Sequence, residues 1–359
     1  MRSIVISTCV VLAGASSAAA GIVAGGDFGG LVKVFDDETG AELRSFQPYA
    51  GFLGGVRVGA ADINGDGYDD IVTGTDTVGH VKVFDGLTGA EVRSFLPFGG
   101  FAAGVFVAGG DVNNDGFDDI YVGSAGASSH VKVFDGRTGA EIASFLAYDG
   151  FTGGVRVASV DLNGDGYDDI LTGAGEGGNA HVKVINGRDQ SLMSSFLAYG
   201  VSTPLGIYVA GGDLNNDGFG DIVVGSGANG HVKAIDGRTG LEMLSFFAHP
   251  AVPDGLRVGV LDLNRDGYGD IITGGSIGGR VNAFDVRAGV ELHSFLPFGD
   301  LPGGVFVAGL EPGPESPPSA VPEPGTAVLL ATGILCTTLE RGTQRRRSGL
   351  RASARSHRA

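Results

Sequence analysis

Asp111-Val112-Asn113-Asn114-Asp115-Gly116-Phe117-Asp118-Asp119 lies between two short apolar runs, and near-copies stand at residues 62–70, 161–169, 213–221 and 262–270. Reading outward from it, residues 105–108 precede the loop, and residues 120–124, 130–134 and 141–145 follow. Each run is strand-length, β-branched or aromatic, and fenced by glycine. The third run begins with Val-Lys-Val-Phe at Val32, Val81 and Val131 and recurs in altered form at Val182, Val232 and Val281, which makes six copies. Repeats of about fifty residues identify a stacked or radial architecture before any propensity argument is needed.

Turns such as Asp85-Gly86-Leu87-Thr88-Gly89 and Asp135-Gly136-Arg137-Thr138-Gly139 join the third and fourth runs. Their glycines supply the positive φ that a short hairpin requires. Each repeat is therefore expected to be an up-and-down four-stranded sheet. A lone sheet of that size cannot bury both faces, whereas a ring of stacked sheets can. The repeating region, residues 21–310, starts on a second-strand element at residues 22–25 and finishes on a spare first-strand element at residues 304–309. The expected fold is all-β: a six-bladed β-propeller of four-stranded blades, closed by the C-terminal strand pairing with N-terminal strands.

An alternation supports an even number of blades. The third residue of the first-strand element runs Arg57, Phe106, Arg156, Tyr208, Arg257, Phe306, and the loops alternate in step, Gly65 and Gly164 against Asn114 and Asn216. In a ring of six, every arginine of this set has an aromatic-bearing blade on either side, a geometry suited to cation–π stacking. The competing reading is a ring of cations near the channel that holds an anionic ligand, and stacking is the simpler account.

The loop itself carries the chemistry. Calcium is a hard cation that takes six to eight oxygens, and the loop offers oxygens at alternate positions. The candidate ligands are Asp62, Asn64, Asp66, the Tyr68 carbonyl and Asp70 in the first copy. They are Asp111, Asn113, Asp115, Phe117 and Asp119 in the second, and Asp161, Asn163, Asp165, Tyr167 and Asp169 in the third. The fourth copy gives Asp213, Asn215, Asp217, Phe219 and Asp221, and the fifth Asp262, Asn264, Asp266, Tyr268 and Asp270. The sixth position is glycine throughout. The eighth varies among Asp69, Asp118, Asp168, Gly220 and Gly269, as expected of a residue that does not ligate. An EF-hand opens similarly but needs Glu at its twelfth position and flanking helices. Thr73, Val122, Thr172, Val224 and Thr273 stand there instead. A merely polar turn is the bland alternative, and five copies in register weigh against it. Leu310-Glu311-Pro312-Gly313 stands where a sixth loop would begin, so the expectation is five Ca²⁺ sites.

Phe98-Gly99, then Gly104-Val105, then the loop from Asp111 to Asp119 followed by Ile120, resembles the FG-GAP (VCBS-type) repeat of integrin α-subunit propellers and related bacterial surface proteins. The resemblance covers about residues 22–310. It implies a calcium-binding propeller used for adhesion, with ligands taken on the face opposite the calcium loops. Integrin heads have seven such blades, so six is a departure.

Residues 1–20 have the form of a secretory signal peptide: Arg2, an apolar run at 4–15, then small residues to Ala20. A Pro-rich linker (311–321) leads into a segment at 322–347 with a 15-residue apolar stretch at 325–339, and a basic tail occupies 348–359. That stretch is shorter than the roughly 20 residues that span a bilayer comfortably, so contact with the membrane is expected only transiently. Val321-Pro322-Glu323-Pro324, Leu329-Leu330 and Arg345-Arg346-Arg347 resemble a PEP-CTERM sorting tail, which implies processing by an exosortase-type enzyme. Secretion to the cell surface or extracellular matrix is the corresponding expectation. Cys9 and Cys336 both fall in the terminal segments, so no disulfide staples the ring. Residues 21–320 hold 39 acidic against 16 basic side chains, a net charge of −23 that excludes nucleic acid as a partner.

His80, His130, His181 and His231 share one repeat position. Equivalent strands of neighbouring blades lie about 10 Å apart, too far for one metal ion to gather them, so a structural role is expected. Aromatics of the blade-to-blade loops, including Tyr49, Phe52, Phe98, Phe101, Tyr148, Phe151, Tyr199 and Phe298, are expected to wedge blades together. No nucleophile and base stand outside the repeat. The chain is therefore expected not to be an enzyme but a module that binds an extracellular polysaccharide or protein. The competing reading is a polysaccharide lyase or hydrolase on the same scaffold, which an asymmetric acidic pair across the channel would favour.

Overall fold

The computed structural model describes residues 21–99, 103–200, 205–249, 255–299, 303–311 and 313. The expected signal peptide, most of the linker, the sorting segment and the basic tail lie outside the described residues, as does Phe101.

Among the described residues, twenty-four strands form six antiparallel sheets of four. Blade 1 consists of Val305–Leu310, Gly21–Gly26, Val32–Asp36 and Glu42–Phe46, in that order from the axis outward. The C-terminal strand pairs with the N-terminal one from Gly21↔Leu310 to Gly26↔Val305, which closes the ring as the sequence predicted. Blade 2 (Val56–Ala61, Asp70–Thr75, Val81–Phe84, Glu91–Phe95) and blade 3 (Val105–Gly110, Asp119–Ser124, His130–Phe134, Glu141–Leu146) follow. Blade 4 comprises Val155–Val160, Asp169–Ala174, His181–Ile185 and Leu192–Leu197. Blade 5 comprises Ile207–Gly212, Asp221–Ser226, His231–Ile235 and Glu242–Phe247, and blade 6 Leu256–Leu261, Asp270–Gly275, Val281–Asp285 and Val290–Phe295.

Burial is greatest at the second strands and falls toward the outer edge. All six second strands are buried at every residue because each is covered on both faces by neighbouring blades. Fourth strands alternate between exposed and half-buried. They form the outer edge, where a charged cross-strand pair such as Lys82–Glu91 (2.6 Å) discourages pairing with another chain. Close stacking depends on glycine in the second strand: a Cβ on Gly74 would lie 3.0 Å from the Val105 carbonyl oxygen of the next blade.

The loop tyrosines are wedges, as expected. The Tyr49 hydroxyl reaches from blade 1 to the carbonyls of Thr73 (3.0 Å) and His80 (2.9 Å) in blade 2. Tyr148 does the same to Thr172 and His181, and Tyr199 to Val224 and His231. The four repeated histidines are each held by a fourth-strand serine at 2.8 Å: Ser94, Ser144, Ser195 and Ser245. One ring nitrogen of each, Nε2, is thereby engaged in a cross-strand hydrogen bond. Blade-to-blade loops and second-to-third-strand turns share one face of the ring; the Asp-rich loops and third-to-fourth-strand hairpins share the other.

Candidate functional site

The Asp-rich loops fold as their residue types require. The sixth-position glycines all have φ between 81° and 86°, a left-handed conformation that side chains disfavour. The fourth position is left-handed as well: Gly65 and Gly164 at φ 73° and 71°, Asn114 and Asn216 at 56° and 57°, Arg265 at 58°. Glycine and asparagine are the residues best suited to that region. Contact between neighbouring loops decides which of the two stands where. A Cβ on Gly65 would lie 2.5 Å from the Phe117 ring of the next blade, and one on Gly164 3.0 Å from Phe219. Asn114 and Asn216 instead lay their amides over Gly166 and Gly267.

Within the first loop, Asp62 accepts the amides of Gly65 (2.8 Å), Asp66 (3.1 Å) and Gly67 (2.8 Å). Asn64 accepts from Asp66 at 2.8 Å, and Asp66 accepts from Tyr68 at 3.0 Å. The third and ninth positions meet: Asn64 Nδ2 donates to Asp70 Oδ1 at 3.2 Å, and Asn113 Nδ2 to Asp119 Oδ1 at 3.4 Å. The first and fifth carboxylates are thus turned onto loop amides. Among the described residues no three His, Cys, Asp or Glu side chains gather into a metal-holding group.

The ninth-position aspartates Asp70, Asp119, Asp169, Asp221 and Asp270 are almost fully buried. Burial, reinforced by neighbouring carboxylates, raises Asp70, Asp119 and Asp270 to about 7 and Asp169 and Asp221 to about 6. Four buried oxygens of the candidate ligands have no hydrogen-bond partner: Asp70 Oδ2, Asn113 Oδ1, Asn215 Oδ1 and Asp270 Oδ1. A buried acceptor left unpaired is rare and calls for an explanation such as an ion. The donors are all oxygen, the charge is negative, and some acceptors are buried without partners, which fits a hard divalent cation.

A neighbouring carboxylate escaped the sequence reading. The sequence marks the hairpin aspartates Asp85 and Asp135 only as turn residues, and Asp236 and Asp285 hold the same place. Asp85 Oδ1 does accept from Thr88, but its Oδ2 accepts from Asn64 at 3.2 Å, and Asp285 Oδ2 accepts from Asn264 at 3.1 Å. The up-and-down topology brings this hairpin beside the loop. Asp or Asn recurs at this position at Asp36, Asp85, Asp135, Asn186, Asp236 and Asp285, and that periodicity was the available signal.

The eighth position, which the sequence reading left without a ligand role, joins blades. The Asp62 amide donates to Asp118 Oδ2 at 2.8 Å while the Asp118 amide donates to the Asp62 carbonyl at 2.9 Å. At the seam, the Glu311 amide donates to Asp69 Oδ2 at 2.9 Å, supplying the joint although the sixth loop is missing. Burial raises Asp69 to about 8, Asp168 to about 7 and Asp118 to about 6.

Blade 1 has no Asp-rich loop and solves the same electrostatic problem with protein charge. Its hairpin carries Asp37, 3% exposed, where other blades have Gly86 or Gly136. Arg265, on the neighbouring loop of blade 6, reaches Asp37 Oδ2 at 3.2 Å.

At the opposite end of the axis the alternating residues form a plug. Phe106, Tyr208 and Phe306 meet edge to face with centroids 6.1 to 6.3 Å apart. Each arginine is wedged between two of them. Arg57 lies 4.2 and 5.6 Å from Phe106 and Phe306, Arg156 5.1 and 4.8 Å from Phe106 and Tyr208, and Arg257 5.7 and 4.3 Å from Tyr208 and Phe306. The expected cation–π stacking is therefore present around the whole ring.

Comparison with known proteins agrees with this architecture. Residues 62–122 and 111–172 match the FG-GAP-like repeat. These FG-GAP-like segments overlap and take in three of the five loops, those at 62–70, 111–119 and 161–169. A search of curated proteins gave no match. Among solved structures, a protein of unknown function from Bacteroides caccae superposes with a TM-score of 0.55 at 11% identity, covering 82% of this chain and 99% of that one. That likeness concerns the fold alone. The computationally designed Ika8 protein gives a TM-score of 0.42 at 22% identity, over 79% of this chain and 73% of its own.

Proposed function

We propose that this chain is a secreted or cell-surface, calcium-stabilised propeller that serves as an adhesion or matrix module, binding an extracellular polysaccharide or protein. The carrying observation is the set of five acidic loops whose buried ninth-position carboxylates lack a counter-charge and in part lack hydrogen-bond donors. In each loop the first, third, fifth and ninth side chains and the seventh carbonyl would hold the ion, with the hairpin aspartate adjacent. Calcium would supply the charge that lets these carboxylates stay ionised while buried. With Kd near 10⁻⁴ M in millimolar calcium, each site would add about 1.4 kcal/mol, and five about 7 kcal/mol. That is comparable with the whole stability of a domain. An exosortase-type enzyme acting on the C-terminal segment would release or attach the module at the surface.

A binding role is favoured over catalysis because the asymmetric acids already have structural partners. Asp118 and Asp69 each accept a backbone amide across a blade joint. Melting curves in chelator and in millimolar calcium, with a glycan and extracellular-protein binding screen under both conditions, test the reading. Superimposable melting curves would remove calcium from it.

A further inference from the structure

Among the described residues, the plug has three guanidinium groups but not three counter-charges. Two rim positions flank each arginine, both one residue beyond a second strand. One is in its own blade, the other in the next. For Arg57 these are Asp76 and Ala125; for Arg257, Ser276 and Asp27; for Arg156, Gly175 and Gly227. Arg257 forms a two-point pair with Asp27, both oxygens at 3.0 Å from Nη2. Asp76 acts on Arg57 electrostatically, without an ion pair. Arg156 has neither, although it is only 8% exposed, and its Nε and Nη1 lack hydrogen-bond partners. The acidic residue nearest in sequence, Glu176, is exposed and makes no ion pair with it among the described residues. Leaving a buried charge without a carboxylate is unfavourable, and ring stacking offsets only part of that.

A second asymmetry stands beside the first. Of the three plug aromatics, only Tyr208 carries a hydroxyl, and Tyr208 is the one shared by Arg156 and Arg257. The plug borders a channel cavity of 160 Å³, enough for a group of a few heavy atoms. A repeat selected for stacking alone would have no reason to differ in this blade.

We propose that the plug is an anion-binding site in which Arg156, assisted by the Tyr208 hydroxyl, takes a single carboxylate from a ligand that enters the axial channel. One uncompensated positive charge calls for a monoanion. The −23 charge of residues 21–320 weighs against a phosphate or sulfate dianion. A planar carboxylate fits the guanidinium fork and lies flat against aromatic faces. The inference names a ligand chemistry for the binding-module reading but stands independently of calcium.

The test is calorimetric or NMR titration of the intact protein with D-glucuronate, with D-glucose as neutral control and inorganic phosphate and sulfate as rival anions. Glucuronate should bind and glucose should not. Arg156→Gln should weaken glucuronate at least tenfold, and Asp76→Asn, which leaves every stacked ring in place, should tighten it several-fold. Should Arg156→Gln fail to fold, the Asp76→Asn titration decides alone. Unchanged affinity in a folded Arg156→Gln or in Asp76→Asn, or no glucuronate binding at all, overturns the site. Tighter binding of phosphate than of glucuronate overturns the carboxylate assignment. Titrations repeated in chelator below the melting temperature separate this site from the calcium reading, because the anion should bind either way.

Discussion

The two ends of this ring carry opposite, unbalanced charge. At the loop end, buried ninth-position aspartates crowd together, and the ion pairs seen among the described residues go elsewhere: Arg265 to Asp37 and Arg287 to the fifth-position Asp266. At the plug end, three arginines share two carboxylates among the described residues and lean on aromatic faces for the rest. The loop end is nearly the same in five blades, as a repeated stabilising device should be. The plug end is threefold in its rings and asymmetric in its counter-charges, as expected of a place where something binds once. Symmetry separates what holds the ring from what the ring holds.

The contrast can be broken by experiment, most forcefully by removing calcium. Chelation should lower the melting temperature by on the order of 10 °C or more if five sites contribute about 7 kcal/mol, read by differential scanning calorimetry with and without calcium. A change in pH should come next. In the metal-free protein the loop aspartates bind protons in the folded state at pH values where the unfolded chain has released them. Stability is therefore present at low pH and is lost as pH rises through about 6 to 7. Chelated protein should melt higher at pH 5 than at pH 7.5, whereas calcium-loaded protein should not. Equal pH profiles with and without calcium would detach the carboxylates from the metal.

Smaller effects sharpen the comparison. Asp70→Asn should cost about 1.4 kcal/mol in calcium, one site's share, and reduce the calcium count from five to four. In chelator the same change should stabilise, because it removes a buried charge, and that reversal of sign is the diagnostic result. Arg57→Lys should destabilise by about 1 kcal/mol irrespective of calcium, since ammonium lacks the flat face that stacks between Phe106 and Phe306. Arg265→Ala should cost about 1 kcal/mol or less, because Arg265 is 59% exposed although Asp37 is buried. Its calcium count should stay at five.

Much of this was legible before any coordinates. Blade number, strand order and closure follow from the spacing of the Val-Lys-Val-Phe run and from the spare first-strand element, because a period of about fifty residues leaves one way to bury every sheet. The Arg57/Phe106 alternation also translated directly into contacts, since equivalent positions in a ring become neighbours. What escaped were relations between segments adjacent only after folding. Asp85 looked like a turn residue because its Thr88 contact is local, while its contact with Asn64 crosses 21 positions. Asp118 looked free to vary because its partner, the Asp62 amide, belongs to another blade.

The sequence alone determined the all-β ring of six, its closure, and the five oxygen-rich loops. Each is a property of spacing along one chain, and local chemistry at glycine and aspartate enforces it. Only the tertiary structure decided which charges are balanced. Whether Arg156 has a carboxylate, or Asp37 a guanidinium, depends on residues brought together from different blades, and through-space distance rather than sequence period sets their interaction.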